Sequence, residues 1–298
     1  MTSVTRGTFD PAFILHEPLA RRIPFVFNVP HAGSIYPEEF VASSRLNELT
    51  LRRSEDAFVD RLFRNMVQLG APVLCARFPR AYLDLNREPY ELEPRLFEGK
   101  LPPFANTRSS RVIGGLGTIP RIVADGFEIY PSRLTVAEGL ERIETLYKPY
   151  HAALRALLDE TMDQFGFAIL IDCHSMPSKG LVSGEKNGRP EIVFGDRFGT
   201  SCSPSLVEVI DFFFTEQGYA TERNKPYAGG FITEFYGEPA LGCHALQIEL
   251  NRALYMDEEL IEPLPDFAHI ADDLSAIFHK VVDVVCGSGL NNRSTAAE

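Results

Sequence analysis

The chain of 298 residues is 45% hydrophobic, enough for a sizeable core in one main domain. Its formal charge of −12 argues against a nucleic-acid or anionic-membrane surface, since either needs a basic face to displace counterions, and favours a small-molecule substrate. Five dispersed cysteines with no CxxC pair exclude a disulfide framework and a thiolate zinc site, and "MTSVTRGTFDPAF" has no signal-peptide pattern, so a soluble cytoplasmic protein is expected.

"FVFNVPHAG" (25–33) reads as a short buried strand closed by Pro30, opening into a loop at His31. "SEDAFVDRLFRNMVQLG" (54–70) has a helical period, with Ala57, Phe58, Leu62, Met66 and Leu69 on one face and Gly70 as the stop. "APVLCARF" (71–78) and "AYLDLN" (81–86) are predicted strands. Residues 87–131, rich in Pro, Gly and charge, form a long irregular excursion of the functional or lid-like kind. A long helix over 135–166, bent or split at Pro149, leads into "FAILIDCHSM" (167–176). The first seven residues of that run are apolar except Asp172, as in a strand buried on both faces. "EIVFGD" (191–196) is the next strand, and "SPSLVEVIDFFFTEQG" (203–218) a helix with Ser203 as N-cap before Pro204. "HALQIELNRALYM" (244–256) is a strand ending near Glu249 and Asn251, and "DFAHIADDLSAIFHKVVDVV" (266–285) a last amphipathic helix. The expected organisation is one domain over 1–286 and a frayed tail at 287–298.

Strands alternating with helices predict an α/β fold, a mostly parallel mixed sheet covered by helices on both faces. Ligands in such folds bind beyond the carboxyl ends of the strands, and four such ends carry polar groups: His31, "DLNR" (84–87), "DCHS" (172–175) and "ELNR" (249–252). "DCHS" is compatible with a Cys-His nucleophile, a hydroxyl nucleophile or a metal-bound imidazole. Cys173 and His174 are strand neighbours that point to opposite faces, which makes Cys173 a packed thiol.

His31 and His174 would share one crevice, and hydrolytic zinc takes three N and O ligands with water in the fourth position. The third ligand should be a carboxylate near a helix start. "SED" offers Glu55 or Asp56, and spacing leaves both open, the shorter Asp56 being favoured. Glu249, a carboxylate closing an apolar strand, is the candidate general base. Arg87 with Asn86 would grip a substrate carboxylate, Arg80 would face the oxyanion, and Arg252 joins the substrate-binding set. Tyr227, Gly229 and Gly230 in "YAGGFIT" would close over the ligand; neither that stretch nor "GGLGTIP" matches a nucleotide loop.

Each residue has a blander role. A single strand-end His is more often structural, Asp56 taken alone is a capping acid, Glu249 would pair with Arg252, and Arg87 with Asp84. Asp172 is expected to reach His174 only through a bend in the chain. His16, His151, His269 and His279 read as surface or structural, and His244 falls on the face opposite Glu249. The joint occurrence of the others at strand ends favours the metal reading.

In order, "NVPHAG", "SEDAFVDRL", "YLDLNREP", "IDCHSMPS", "FGDRFGTS", "KPYAGGFITEFYG" and "HALQIELNRALYMDE" resemble the N-formylglutamate amidohydrolase family over residues 25–258. The resemblance implies a phosphorylase/hydrolase-like fold related to zinc carboxypeptidases and aspartoacylase-like hydrolases. It also implies zinc-dependent release of formate from N-formyl-L-glutamate, late in histidine degradation. By the same resemblance His31, His174 and Asp56, rather than Glu55, match the ligands, Asn86 and Arg87 the carboxylate-binding pair, and Glu249 the base. Two departures stand out. Ser34 occupies the place of the acid in a carboxypeptidase HxxE motif, and the excursion lacks the "TTGLCP"-like stretch of dedicated histidine-pathway enzymes, which widens the expected substrates to other N-acyl amino acids. Nothing in the pattern separates a monomer from a homo-oligomer.

Overall fold

The computed structural model describes residues 5–123, 126–179 and 190–287. Its central sheet has seven strands, β1 (Phe13–His16), β2 (Phe25–Val29), β3 (Val73–Ala76), β4 (Ala168–Met176), β5 (Ile192–Gly195), β6 (Thr221–Arg223) and β7 (Cys243–Asn251). Their spatial order is β6-β5-β7-β4-β2-β3-β1. The middle strands β7, β4, β2 and β3 run parallel. β5 lies antiparallel to β7 with β6 parallel beside it, and β1 closes the other edge antiparallel to β3. This is the mixed, mostly parallel α/β sheet that the alternation of elements predicts.

Side chains alternate across a strand, so each middle strand feeds two cores. On one face Phe25, Phe27, Ile169, Ile171, Cys173 and Ile248 pack against buried residues such as Leu206 and Phe278. On the other face Val26, Ala168, Leu170 and Ala245 meet Tyr150, Leu154 and Leu157. The parity of β4 therefore puts Cys173 on the first face and Asp172 and His174 on the second.

Helices cover the sheet, beginning with α1 (Val59–Leu62) and α2 (Met66–Leu69), where the period predicts one helix over 54–70. The start is delayed because the Asp56 N–H donates to the His31 carbonyl at 3.0 Å and Phe58 sits at φ 68°, left-handed backbone that no helix interior allows. α3 (Val136–Arg142) begins with a Thr135/Glu138 capping box, and α4 (Lys148–Phe165) follows after a π-helical turn over 143–147. The predicted break thus lies just upstream of Pro149, which occupies the first turn of α4, where a missing N–H costs little. α5 (Pro204–Glu216) has the predicted cap, Ser203 accepting from the Leu206 N–H. α6 (Phe231–Tyr236) is short, and α7 (Phe267–Gly287) buries Ile270, Leu274, Ile277, Phe278, Val281 and Val285 on one stripe.

The strand predicted at 81–86 does not form. The place beside β3 is taken by β1, and residues 79–86 instead make a turn, with the Asp84 N–H donating to the Thr118 carbonyl at 2.8 Å. The excursion over 87–131 is partly packed, burying Leu92, Leu96, Phe97, Val112, Ile119 and Ile129. Of the predicted tail, all but Gly287 lies outside the described residues. No helix among the described residues is long and apolar enough to cross a membrane.

Candidate metal centre

Two polar rungs cross the otherwise apolar face of the sheet. Register pairs Asn28 of β2 with Asp172 of β4, and Asp172 with Gln247 of β7. One step nearer the carboxyl edge, His174 pairs with Glu249. All five side chains are buried. A polar group interrupting an apolar strand is costly unless it has partners, and the first rung supplies them to the second.

His31 reaches the same place from the loop after β2, and Asp56 from the segment before α1. Both imidazoles turn Nδ1 towards Asp56 Oδ2, His174 at 3.1 Å and His31 at 3.4 Å. The three candidate ligand atoms all lie within 4.8 Å of one another. Zinc bonds of about 2 Å in a tetrahedral site separate ligand atoms by about 3.3 Å, so the donor set fits such an ion. Buried His31 Nδ1 has no hydrogen-bond partner among the described residues. An orphaned, fully buried nitrogen beside a carboxylate is what a cation would satisfy.

Carboxylates hold the far side of each ring. His31 Nε2 donates to Asp84 Oδ1 at 2.7 Å, which leaves the Nδ1 lone pair facing Asp56. His174 Nε2 lies 2.9 Å from Asp172 Oδ2, off the alignment of a good hydrogen bond, so this is an electrostatic contact. Asn86 Nδ2, 3.3 Å from the same nitrogen, is a second donor and packs there without sharing a proton when Nε2 carries one. Asp172 needs no bend in the chain to do this. Residues 172 and 174 are two apart in an unbroken strand and share a face, which corrects the expectation stated for it. Asn28 donates to Asp172 Oδ1 at 2.7 Å and accepts from the Tyr150 hydroxyl at 2.6 Å, anchoring the rung to α4.

Electrostatics follow the contacts. Burial alone would raise the Asp56 carboxyl, but the hydrogen bond from His174 and the neighbouring His31 ring hold it well below the usual carboxylate range. Burial would lower His174, yet Asp172 first, then the hydrogen bond to Asp56, raise it well above an ordinary imidazole. Glu249 is pushed up to about 7, chiefly by burial.

The arginines divide. Arg252 is fully engaged: Nη2 donates to Asp56 Oδ1 at 3.0 Å, Nη1 to the Arg53 carbonyl at 3.1 Å and Nε to the Ser175 hydroxyl at 3.2 Å. Arg87 donates to the Leu116 and Asn86 carbonyls, with Nη2 3.4 Å from Asp84. Arg80 makes one bond among the described residues, Nη2 to Asp84 Oδ2 at 2.9 Å, and its side chain is 25% exposed. Asp84 therefore faces Arg80, Arg87 and His31 together, an excess of positive charge; burial lowers Arg87 to about 10.

Asn86 Oδ1 accepts from the Ile232 N–H at 2.8 Å and packs on Gly230. Tyr227, 37% exposed, feels the charges of Glu249, Arg252, Asp56 and Arg80. His151, read as surface or structural, is half-buried and structural: Nε2 donates to the Leu85 carbonyl at 3.0 Å, steadying the 79–86 turn. Cys173 is a packed thiol, raised by burial.

Sequence reading missed the positioning roles of Asp84, Asn28, Tyr150 and Gln247. Asn28 and Gln247 did leave a signal, each a lone amide inside a strand of apolar neighbours.

The family described as N-formylglutamate amidohydrolase matches residues 23–256. A protein named N-formylglutamate deformylase from Pseudomonas putida is 31% identical over 274 residues, 90% of this chain and 94% of that one. The crystal structure of N-formylglutamate amidohydrolase from Ralstonia eutropha JMP134 superposes with a TM-score of 0.87 at 34% identity, over 93% of this chain and 99% of that one. A protein from Agrobacterium tumefaciens shares the fold at a TM-score of 0.66 and 18% identity, over 92% of this chain and 94% of that one.

Proposed function

The chain belongs to the N-formylglutamate amidohydrolase family, and on that premise we propose that it hydrolyses the formyl amide of N-formyl-L-glutamate, or of a close N-formyl amino acid, to formate and the free amino acid. A zinc ion on His31, Asp56 and His174 is part of the proposal, and the orphaned Nδ1 of His31 is the observation that carries it. When bound, the ion would polarise the formyl carbonyl and lower the pKa of a water towards neutrality.

The chain's own groups do the rest. Glu249, on the strand beside His174 and held up to about 7 by burial, suits a base working at neutral pH. It takes a proton from the attacking water and returns it to the leaving amine. Arg80 has donors left over after its bond to Asp84 and faces the developing oxyanion. The positive excess of Arg80 and Arg87 around Asp84 supports binding of a substrate carboxylate, with Asn86 shaping the wall and Tyr227, Gly229 and Gly230 covering the ligand. Arg252 acts through Asp56, fixing the carboxylate that faces both imidazoles.

Release of the free amino acid should be measured with N-formyl-L-glutamate, N-formylaspartate and N-acetylglutamate, before and after chelation and zinc return. Turnover of the first above the other two, abolished by chelation and restored by zinc, is expected. Undiminished turnover after complete metal removal overturns the zinc reading, and faster turnover of N-acetylglutamate overturns the formyl specificity. A His174→Ala protein that keeps a full complement of zinc would sink the ligand assignment.

A further inference from the structure

We propose that Gln247 is a positioning residue for the base, fixing the Glu249 carboxylate and tying it to the glycine segment over the site; this rests on the reading of Glu249 as proton acceptor. Gln247 stands two residues before Glu249 on β7, so both side chains take the same face, and it is buried. Its Oε1 accepts the Gly230 N–H at 2.9 Å, and its Nε2 donates to Glu249 Oε1 at 2.8 Å. The amide has one orientation that satisfies both. A backbone N–H can only donate and an ionised carboxylate can only accept, so a flipped amide would lose both bonds.

The other end of this link is fixed as well. The Arg197 N–H donates to the Ala228 carbonyl at 2.7 Å. A Cβ on Gly195 would stand 2.6 Å from the Gly229 nitrogen, and one on Gly230 would stand 2.3 Å from Asn86 Nδ2. The backbone over 228–230 is therefore wedged between the end of β5 and Asn86, the residue that also touches His174. Gln247 passes that position to the base. With Oε1 occupied, Glu249 presents Oε2, which has no hydrogen-bond partner among the described residues, as the oxygen that takes the proton.

The test compares Gln247→Met, Gln247→Asn, Glu249→Gln and the Gln247→Met/Glu249→Gln double variant, with rates counted per zinc-loaded, folded chain. Met keeps the length without the polar atoms; Asn keeps an amide one methylene too short to span the two partners. Both Gln247 variants should lower kcat about 10- to 100-fold, the usual cost of losing an outer partner, with KM within about threefold and zinc content unchanged. In the Glu249→Gln background, Gln247→Met should lower kcat by less than about twofold, because residues acting as a unit are not additive. An equal loss in both backgrounds makes Gln247 a merely structural residue and overturns the proposal, as does an unchanged kcat in either Gln247 variant. Should Glu249→Gln itself keep its kcat, the reading of the base fails, and this inference with it.

Discussion

Asp84 and Asp172 give each imidazole a partner on the side away from Asp56, and this decides which nitrogen is offered to a cation. A neutral imidazole whose Nε2–H meets a carboxylate keeps its Nδ1 lone pair for a metal, and the carboxylate raises the basicity of that lone pair. Asp172→Asn would keep the shape and remove the charge. Zinc affinity should fall about 10- to 100-fold, measured by competition with a chromophoric chelator, while the fold is kept because an amide oxygen at 172 still accepts from Asn28, whose own bond to Tyr150 is untouched. Unchanged zinc affinity in that variant would show that Asp172 merely fills space. The sequence reading expects a bend in the chain at "LIDCHS" and misses that positions 172 and 174 share a face of any regular strand. Asp84 was not legible. Its proximity to His31 comes from a turn, not a strand, and no local period reports which turn folds against which loop.

Among elements, the sequence was most readable where one period ran uninterrupted. β2, β4, β5 and β7 are mostly apolar, and the last helix keeps its stripe over its full length. Reading failed where tertiary bonds overrode the local pattern. "AYLDLN" alternates like a strand, yet β1 occupies its place at the sheet edge, and "SEDAFVDRL" has a helical period whose first turn is given up so that Asp56 can bond to the His31 loop. The glycine segment before α6 is the element on which the site depends most. Gly230 is needed for close approach and not for backbone freedom, since its φ of −93° is open to any residue. Gly230→Ala would place a Cβ 2.3 to 2.5 Å from three atoms of the Asn86 side chain. Asn86 cannot retreat without losing the Ile232 N–H. Overpacking of this kind costs about 1–3 kcal/mol, to be read from urea unfolding, and kcat/KM should drop by more than about tenfold as the wall beside His174 shifts. Wild-type activity with alanine at 230 would mean that the segment moves freely and is no part of the site.

At the scale of the whole molecule, the family and the sheet were legible in the order of the motifs. The coupling between protons, metal and stability emerges only once the buried groups are seen together. Consider the protein without a cation. Glu249, raised from 4.5 to about 7, and His174, raised well above 6.5, hold protons more tightly when folded than when unfolded. Their contribution is complete below the unfolded values and is lost as pH rises through the folded ones. Asp56 and Asp84, held well below 3.8, contribute in the opposite sense: their share is present above the unfolded value and disappears in acid. The cation-free protein should therefore be most stable in mildly acidic solution, with Glu249 alone removing about 2–3 kcal/mol between pH 4.5 and about 7. On the proposed ligand set zinc should reverse the slope, because the ion would need the Nδ1 lone pair of His174 and its binding would release the proton held there. Urea midpoints with and without saturating zinc, taken from about pH 5 to about pH 8, should diverge steadily as pH rises. In the cation-free series Glu249→Gln should flatten the loss over the lower part of that range while leaving the part due to His174. A zinc-induced shift of constant size across the range would show that no proton leaves when the ion binds, and would remove His174 from the ligand set.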